Sequence, residues 1–357
     1  MTMLVFTFVL TTLAILNQGF IVDFRSILSK NQYFIPIKFM LCLVLILAFC
    51  IPKKLKAQAD SVSALSPGPA WLVPAPELNK KRLNLFTTTV VVGYSATLVG
   101  LNYLWYADYP RSSFHTFNDI KEWQQIDKAG HTVTPYLEAF YIMHVMRWTG
   151  MEHKKAAIYA GLTAFMLQNT IEVFDGFSAG WGASVSDVAA NFVGSAIMTS
   201  QELVWGEQRI RLKFLPHFET YPAGELKQRA DQLYGTSLIV KTLKDYNSMN
   251  VWASINPASF NKNQRHLKWL NVAVGYGAGG MYGGFGNTWL DENGVYHDRT
   301  DVQRYRKVFL SLDVDFSKIQ TRSRTLKAFL GILNMVKVPA PAIEFNTKGQ
   351  VVFHPLM

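Results

Sequence analysis

Cysteine is almost missing: the chain of 357 residues has two, Cys42 and Cys50, both inside one apolar run near the N-terminus. This excludes a disulfide framework and any cysteine-built zinc site in the rest of the chain. Charge is scarce as well. Charged residues make up 17% of the sequence and hydrophobic ones 49%, against roughly 25% charged in soluble globular domains, so part of the protein is expected to meet lipid. The formal charge of +10 raises nucleic acid as a partner, yet no nucleic-acid module pattern accompanies it. The basic residues fall in short groups beside apolar segments, as with Lys80, Lys81 and Arg82, or Arg209, Arg211 and Lys213. Anionic lipid headgroups explain such groups better, and no nucleic-acid role is expected. There is no internal repeat and no low-complexity tract.

Residues 1–59 read as a signal-like or membrane-anchor segment. The order of Lys38, the apolar run 39–51, further lysines and Ala57-Gln58-Ala59 is that of a secretory signal with its cleavage site. Two uncleaved spanning helices, at 3–22 and 34–51, are the alternative. Residues 60–84 form a linker, because Pro67, Pro69, Pro74 and Pro76 deny a regular helix. Residues 85–106 carry no formal charge and are long enough to cross a hydrocarbon layer. Three more helices are expected at 126–148, 155–174 and 184–202. Beyond Arg209, the stretches 267–276 and 307–316 alternate apolar and polar residues as half-buried strands do, and 342–354 reads as a hairpin turning near Thr347-Lys348-Gly349. The expected fold class is a mainly α membrane core of about four helices over 85–206, followed by a mixed α/β C-terminal region over 207–357.

Residues three or four apart share a helix face, and the polar residues of the last three helices pair in this way. Asp127 and His131 open one helix, Gln168, Glu172 and Asp175 close the next, and Asp187 and Asn191 open the last. Short connections make consecutive helices antiparallel, so a start, an end and a start lie on one side. A carboxylate or imidazole at membrane depth costs at least about 2.5–3.5 kcal/mol, so such a group needs mutual pairing, a metal or a polar substrate. As a site, Asp127, His131, Glu172 and Asp187 are the catalytic candidates, with His131 a general acid or base tuned by Asp127. Gln168, Asp175 and Asn191 would touch a ligand, and Asp127, His131 and Glu172 have the donors for a divalent metal ion. As plain structure, the same residues bond across helices: Asp175 and Gly176 end one helix, Ser184 caps the next, and Glu138 serves as an interhelical partner. Gly275-x-Gly277-x-x-Gly280 has dinucleotide-binding spacing, but Gly283, Gly284 and Gly286 deny the helix that motif needs. Lys244 to Asn247 is assigned no chemistry.

The segments Asp127-Lys128-Ala129-Gly130-His131, Gln168 through Phe177, Trp181-Gly182 and Ser186 through Asn191 with Gly194 resemble the YfiM-like family of predicted envelope lipoproteins, in a Bacteroidota form with a long C-terminal extension. More distantly, the order D-K-x-x-H, acidic helix end, D-x-x-x-N-x-x-G is similar to VanZ-like membrane proteins. The resemblance covers about 80 residues and implies no settled biochemistry. Family lipoproteins carry a lipidated N-terminal cysteine, which this chain lacks in convincing form, since Phe49 precedes Cys50. The expectation is an uncharacterised bacterial cell-envelope membrane protein, its site facing the periplasm, with inner and outer membrane both open. The site would bind membrane lipid or a metal for action on a lipid-linked substrate. The alternative is a non-enzymatic scaffold that recruits envelope proteins.

Overall fold

A computed structural model describes residues 69–101, 109–261 and 267–357. The signal-like segment and both candidate N-terminal helices lie outside the described residues. Four long helices come first: α1 (Lys80–Leu101), α2 (Ile126–Trp148), α3 (His153–Gly176) and α4 (Val185–Val204). Helix α2 is the centre of the core, with Ile126, Ala139 and Ile142 at most 1% exposed. Helix α3 meets its neighbours through a stripe of small residues, Ala156, Ala157, Ala160 and Ala164, each fully buried. The α2–α3 turn passes through Gly150 at φ +90°, where a Cβ would sit 2.0 Å from the Glu77 carbonyl oxygen. Only glycine meets both demands.

The expected membrane core is corrected here. Among the described residues no helix is long and apolar enough to cross a membrane, and no four-helix membrane unit is formed. Lys80, Lys81, Arg82 and Asn84 occupy the first turns of α1, and Thr87 to Thr89 dilute the apolar character of its middle. Asp127, Lys128, Glu138 and Arg147 interrupt α2. Apolar length was legible in the sequence, but the charges and hydroxyls inside these helices decide the outcome.

The C-terminal region is built on an antiparallel sheet of six strands in the order β1-β2-β3-β6-β7-β8. These are β1 (Ile210–Phe214), β2 (Asn250–Ile255), β3 (Leu270–Gly279), β6 (Tyr305–Val314), β7 (Ala342–Asn346) and β8 (Val351–His354), while β4 (Thr288–Leu290) and β5 (Tyr296–Asp298) pair separately. The expected strands appear as β3 and β6, and the expected hairpin as β7 and β8. Between β1 and β2 lie α5 (Glu225–Tyr234) and α6 (Leu238–Lys244); α7 (Pro257–Phe260) follows β2, and α8 (Arg324–Leu333) precedes β7. One sheet face meets α2: Phe214, Val251 and Ala278 join Ile126, Tyr136 and Ile142 in a single cluster. The helical unit and the sheet therefore share one core. The glycine motif lies mainly in β3, where Gly275 leaves room for the Trp252 ring, and no helix opens after Gly280.

Helices α2 and α4 approach closely at Gly194, whose added Cβ would stand 2.0 Å from the Thr132 carbonyl oxygen. Backbone cannot step aside as a side chain can. Gly194→Ala is expected to destabilise the fold by about 1–3 kcal/mol through overpacking, measured as a lower urea midpoint with an unchanged slope.

Candidate functional site

The site forms where the start of α2, the end of α3 and the start of α4 converge, as antiparallel packing requires. The hydroxyl of Ser184 caps α4 by accepting from the Asp187 amide at 3.1 Å, and the Ser184 amide donates to Glu172 Oε2 at 3.2 Å. These bonds bring Glu172 and Asp187 to the face of α2 that carries Asp127 and His131. His131 is 6% exposed. Its Nδ1–H donates to Asn191 Oδ1 at 3.1 Å, with Glu172 Oε1 at 3.7 Å from the same nitrogen. Its Nε2 faces Asp127 Oδ1 and Asp187 Oδ2, each at 3.8 Å.

Lys128 holds the other carboxylate oxygens. Its ammonium is 3.1 Å from Asp127 Oδ2, 2.8 Å from Asp187 Oδ1 and 2.7 Å from Asp119 Oδ2. Asp119 Oδ1 in turn accepts from Ser184 at 2.5 Å and from Ser186 at 2.7 Å. The segment before α2 is thereby drawn over the site. Trp123, Gln124 and Gln125 take left-handed φ values of 49°, 52° and 62°, a strained conformation for residues with side chains. The C-terminal region holds them there: Trp123 donates its amide to Gly284 O at 2.8 Å and stacks on Tyr246 at 4.7 Å, and the Tyr276 hydroxyl bonds Gln124 O. Tyr246 also donates to Asp127 Oδ1 at 3.0 Å.

This crowding of charge reshapes acidity. Burial opposes the positive form of His131, but Asp127, Asp187 and Glu172 outweigh it and hold its pKa up at about 9. Burial raises Glu172 to about 8 against the pull of His131, and raises Asp187 in the same way. Asp119 goes the other way, down to about 2, because hydrogen bonds from Asp187, Lys128, Ser184 and Ser186 overcome its burial. Lys128 is pushed up, the carboxylates prevailing over desolvation.

Of the residues expected at the site, Asp127, His131, Glu172, Asp187 and Asn191 come together. Gln168 is one turn deeper, where its amide donates to Glu138 Oε1 at 2.7 Å, both side chains being buried. Asp175 stays at the end of α3 and adds negative charge near Glu172. The sequence reading missed Asp119, Lys128 and Tyr246. Lys128 carried a signal, since a lysine beside Asp127 and on the acidic side of the bundle is the natural counter-charge. Asp119 lies on a segment without periodicity, and Tyr246 is 119 residues from its partner; neither has a local signature.

Residues 117–201 match the family described as predicted periplasmic lipoprotein (DUF2279). That span contains every candidate residue named from the sequence. The match fits the YfiM-like likeness and a protein of the cell envelope; it lends no support to the VanZ-like one. No curated protein and no solved structure matches the chain.

Two expected outcomes test this geometry. Lys128→Met leaves three carboxylates facing one another, and the loss of a largely buried ion-pair partner should cost about 3–5 kcal/mol, read by chemical unfolding. Burial raises Glu138 from 4.5 to about 8, with the Gln168 bond opposing. Between those values the unfolded chain releases a proton that the folded chain keeps, so stability falls as pH rises and levels off above the folded pKa. Glu138→Gln should flatten that decline and raise the melting temperature at pH 8 relative to wild type, with little change near pH 4.

Proposed function

We propose that this is a cell-envelope protein whose helical unit carries a divalent-cation centre formed by His131 Nε2, Asp127 Oδ1 and Asp187 Oδ2. The observation that carries the reading is the spacing around Nε2. With Nδ1–H committed to Asn191, a divalent cation would replace the proton on Nε2, which faces two carboxylate oxygens, each at 3.8 Å. That exceeds the 2.7–3.2 Å of an N–H···O bond. A ligand atom from each of the three residues lies within 4.8 Å of the other two, and separations of this size leave an ion about 2.2–2.5 Å from all three, within the range of metal–ligand bonds. Lys128 and Tyr246 orient the carboxylates, and Asn191 sets the imidazole tautomer, as outer partners of metal ligands do. Such an ion supplies Lewis acidity toward a phosphoryl or carbonyl oxygen, which suits a lipid headgroup or lipid-linked substrate on the periplasmic side. The match to predicted periplasmic lipoproteins supports the location.

A second reading rests on Lys128. Its bridges to three carboxylates make the group a structural ion network in which His131 is a protonated partner.

Metal analysis and thermal unfolding of the purified protein separate the two. The cation centre predicts a stoichiometric divalent ion, lost on chelation and in His131→Ala and Asp187→Asn while helical circular dichroism persists. Added metal at a hundredfold excess over its Kd should stabilise the wild type by about 2.7 kcal/mol. Absence of an ion, no response to manganese, zinc or magnesium, and unfolding of Asp187→Asn would establish the structural network instead.

A further inference from the structure

The C-terminal sheet leaves part of its apolar face uncovered. An antiparallel sheet with one solvated face turns apolar residues to the core and polar residues to water. Here the inner face holds the ion pairs Lys213–Asp313 at 2.7 Å and Arg211–Asp315 at 3.1 Å, with both Lys213 and Asp313 side chains fully buried, beside a small apolar cluster of Trp252, Ala273, Phe309 and Ala342. The outer face, which is also the face that meets α2, is apolar and, beyond that helix, open. One register row crosses four strands through Val274, Leu310, Ile343 and Phe353, which are 42, 46, 40 and 65% exposed. The adjoining row passes through Val308, Phe345 and Val351, at 44, 49 and 67%. Toward β1 and β2 this same face is covered by α2, where Phe214 and Val251 are each 8% exposed. The open rows thus continue an apolar interface beyond the helix that covers its other half.

Three features select lipid as the occupant. Apolar-out, polar-in alternation is the pattern of strands that face hydrocarbon. Exposed cations stand at both ends of the patch, Lys268 beside the half-exposed Trp269 at one and Arg306 with Lys348 at the other. They match anionic headgroups, whereas a second copy would bring the same charges, in a chain already at +10. Depth is the third. Four residue steps separate Val308 from Leu312, about 13 Å at strand spacing, against a hydrocarbon core of about 30 Å.

We propose that the outer face of β3, β6, β7 and β8 docks on an anionic lipid surface and enters a single leaflet. This surface is separate from the cation centre and does not depend on it. It would hold the helical unit at the membrane by the face opposite the buried ion pairs, independently of any N-terminal anchor.

The test uses the full chain with Cys42→Ser and Cys50→Ser, labelled with an environment-sensitive dye at Leu310→Cys, Phe353→Cys or, as a control on an exposed turn, Asn293→Cys. Each is bound to phosphatidylethanolamine–phosphatidylglycerol vesicles with and without brominated acyl chains. The brominated chains should more than halve emission at 310 and 353 and leave 293 unchanged. Adding Leu310→Asp and Phe345→Asp should abolish quenching at 353 with circular dichroism retained. Vesicle-bound protein whose 310 and 353 labels ignore bromine would overturn the proposal, as would sedimentation showing these positions covered by a second copy.

Discussion

The ammonium of Lys128 is the point on which the helical unit turns. It lies within 3.1 Å of carboxylates from three separate stretches: Asp119 ahead of α2, Asp127 in its first turn and Asp187 at the start of α4. A buried charge must be paired, and pairing this one recruits three backbone segments at once. Helix α4 is drawn against α2, which Gly194 makes room for, and the preceding segment is drawn over the helix ends. The left-handed run at Trp123 to Gln125 is the cost of that closure. The same pairing uses one oxygen of Asp127 and one of Asp187, and so aims the remaining pair at His131. The proposed cation centre would thus rest on the same ion pairs that hold the helix ends together.

The C-terminal region is the second half of this device. Tyr246 reaches Asp127, Trp123 lies on Tyr246, and Gly284 receives the Trp123 amide. These contacts come from loops next to the sheet, which also supplies the surface under α2. Because that surface is the apolar side, the buried charges of the sheet, Arg211, Lys213, Lys307, Asp313 and Glu344, lie on its other face. They are satisfied there by one another, as in Lys213–Asp313, and by main-chain carbonyls, as when Lys213 reaches the carbonyl oxygen of Val314. One apolar face therefore serves two ends, a floor for the helices and an open apolar band beyond them.

Local rules carried the sequence reading a long way in some places. Helical spacing paired Asp127 with His131 and Asp187 with Asn191, and antiparallel connection placed Glu172 beside them; all five meet. Alternation located β3 and β6, and Thr347-Lys348-Gly349 turns the β7–β8 hairpin, with Gly349 at φ +77°. The same reading failed where an average was asked to stand for a pattern. The apolar fraction suggested membrane helices, but the hydroxyls of α1 and the charges of α2 break the runs, and part of the apolar excess lies instead on alternate residues of the sheet. Alternation shows that a strand has two unlike faces without showing which one faces inward.

By itself, then, the sequence determined which residues share a helix face, where the strands run, and that a chain rich in acid, amide and imidazole groups at three helix ends must gather them. Spacing along one element is a local property, and periodicity reports it faithfully. Tertiary structure alone decided that Lys128 and Asp119 complete the group, that Tyr246 closes it from 119 residues away, and that α2 covers only part of the sheet's apolar face. Each of these depends on which surfaces meet, and that is settled by pairing buried charge and filling shared volume between segments far apart in the chain.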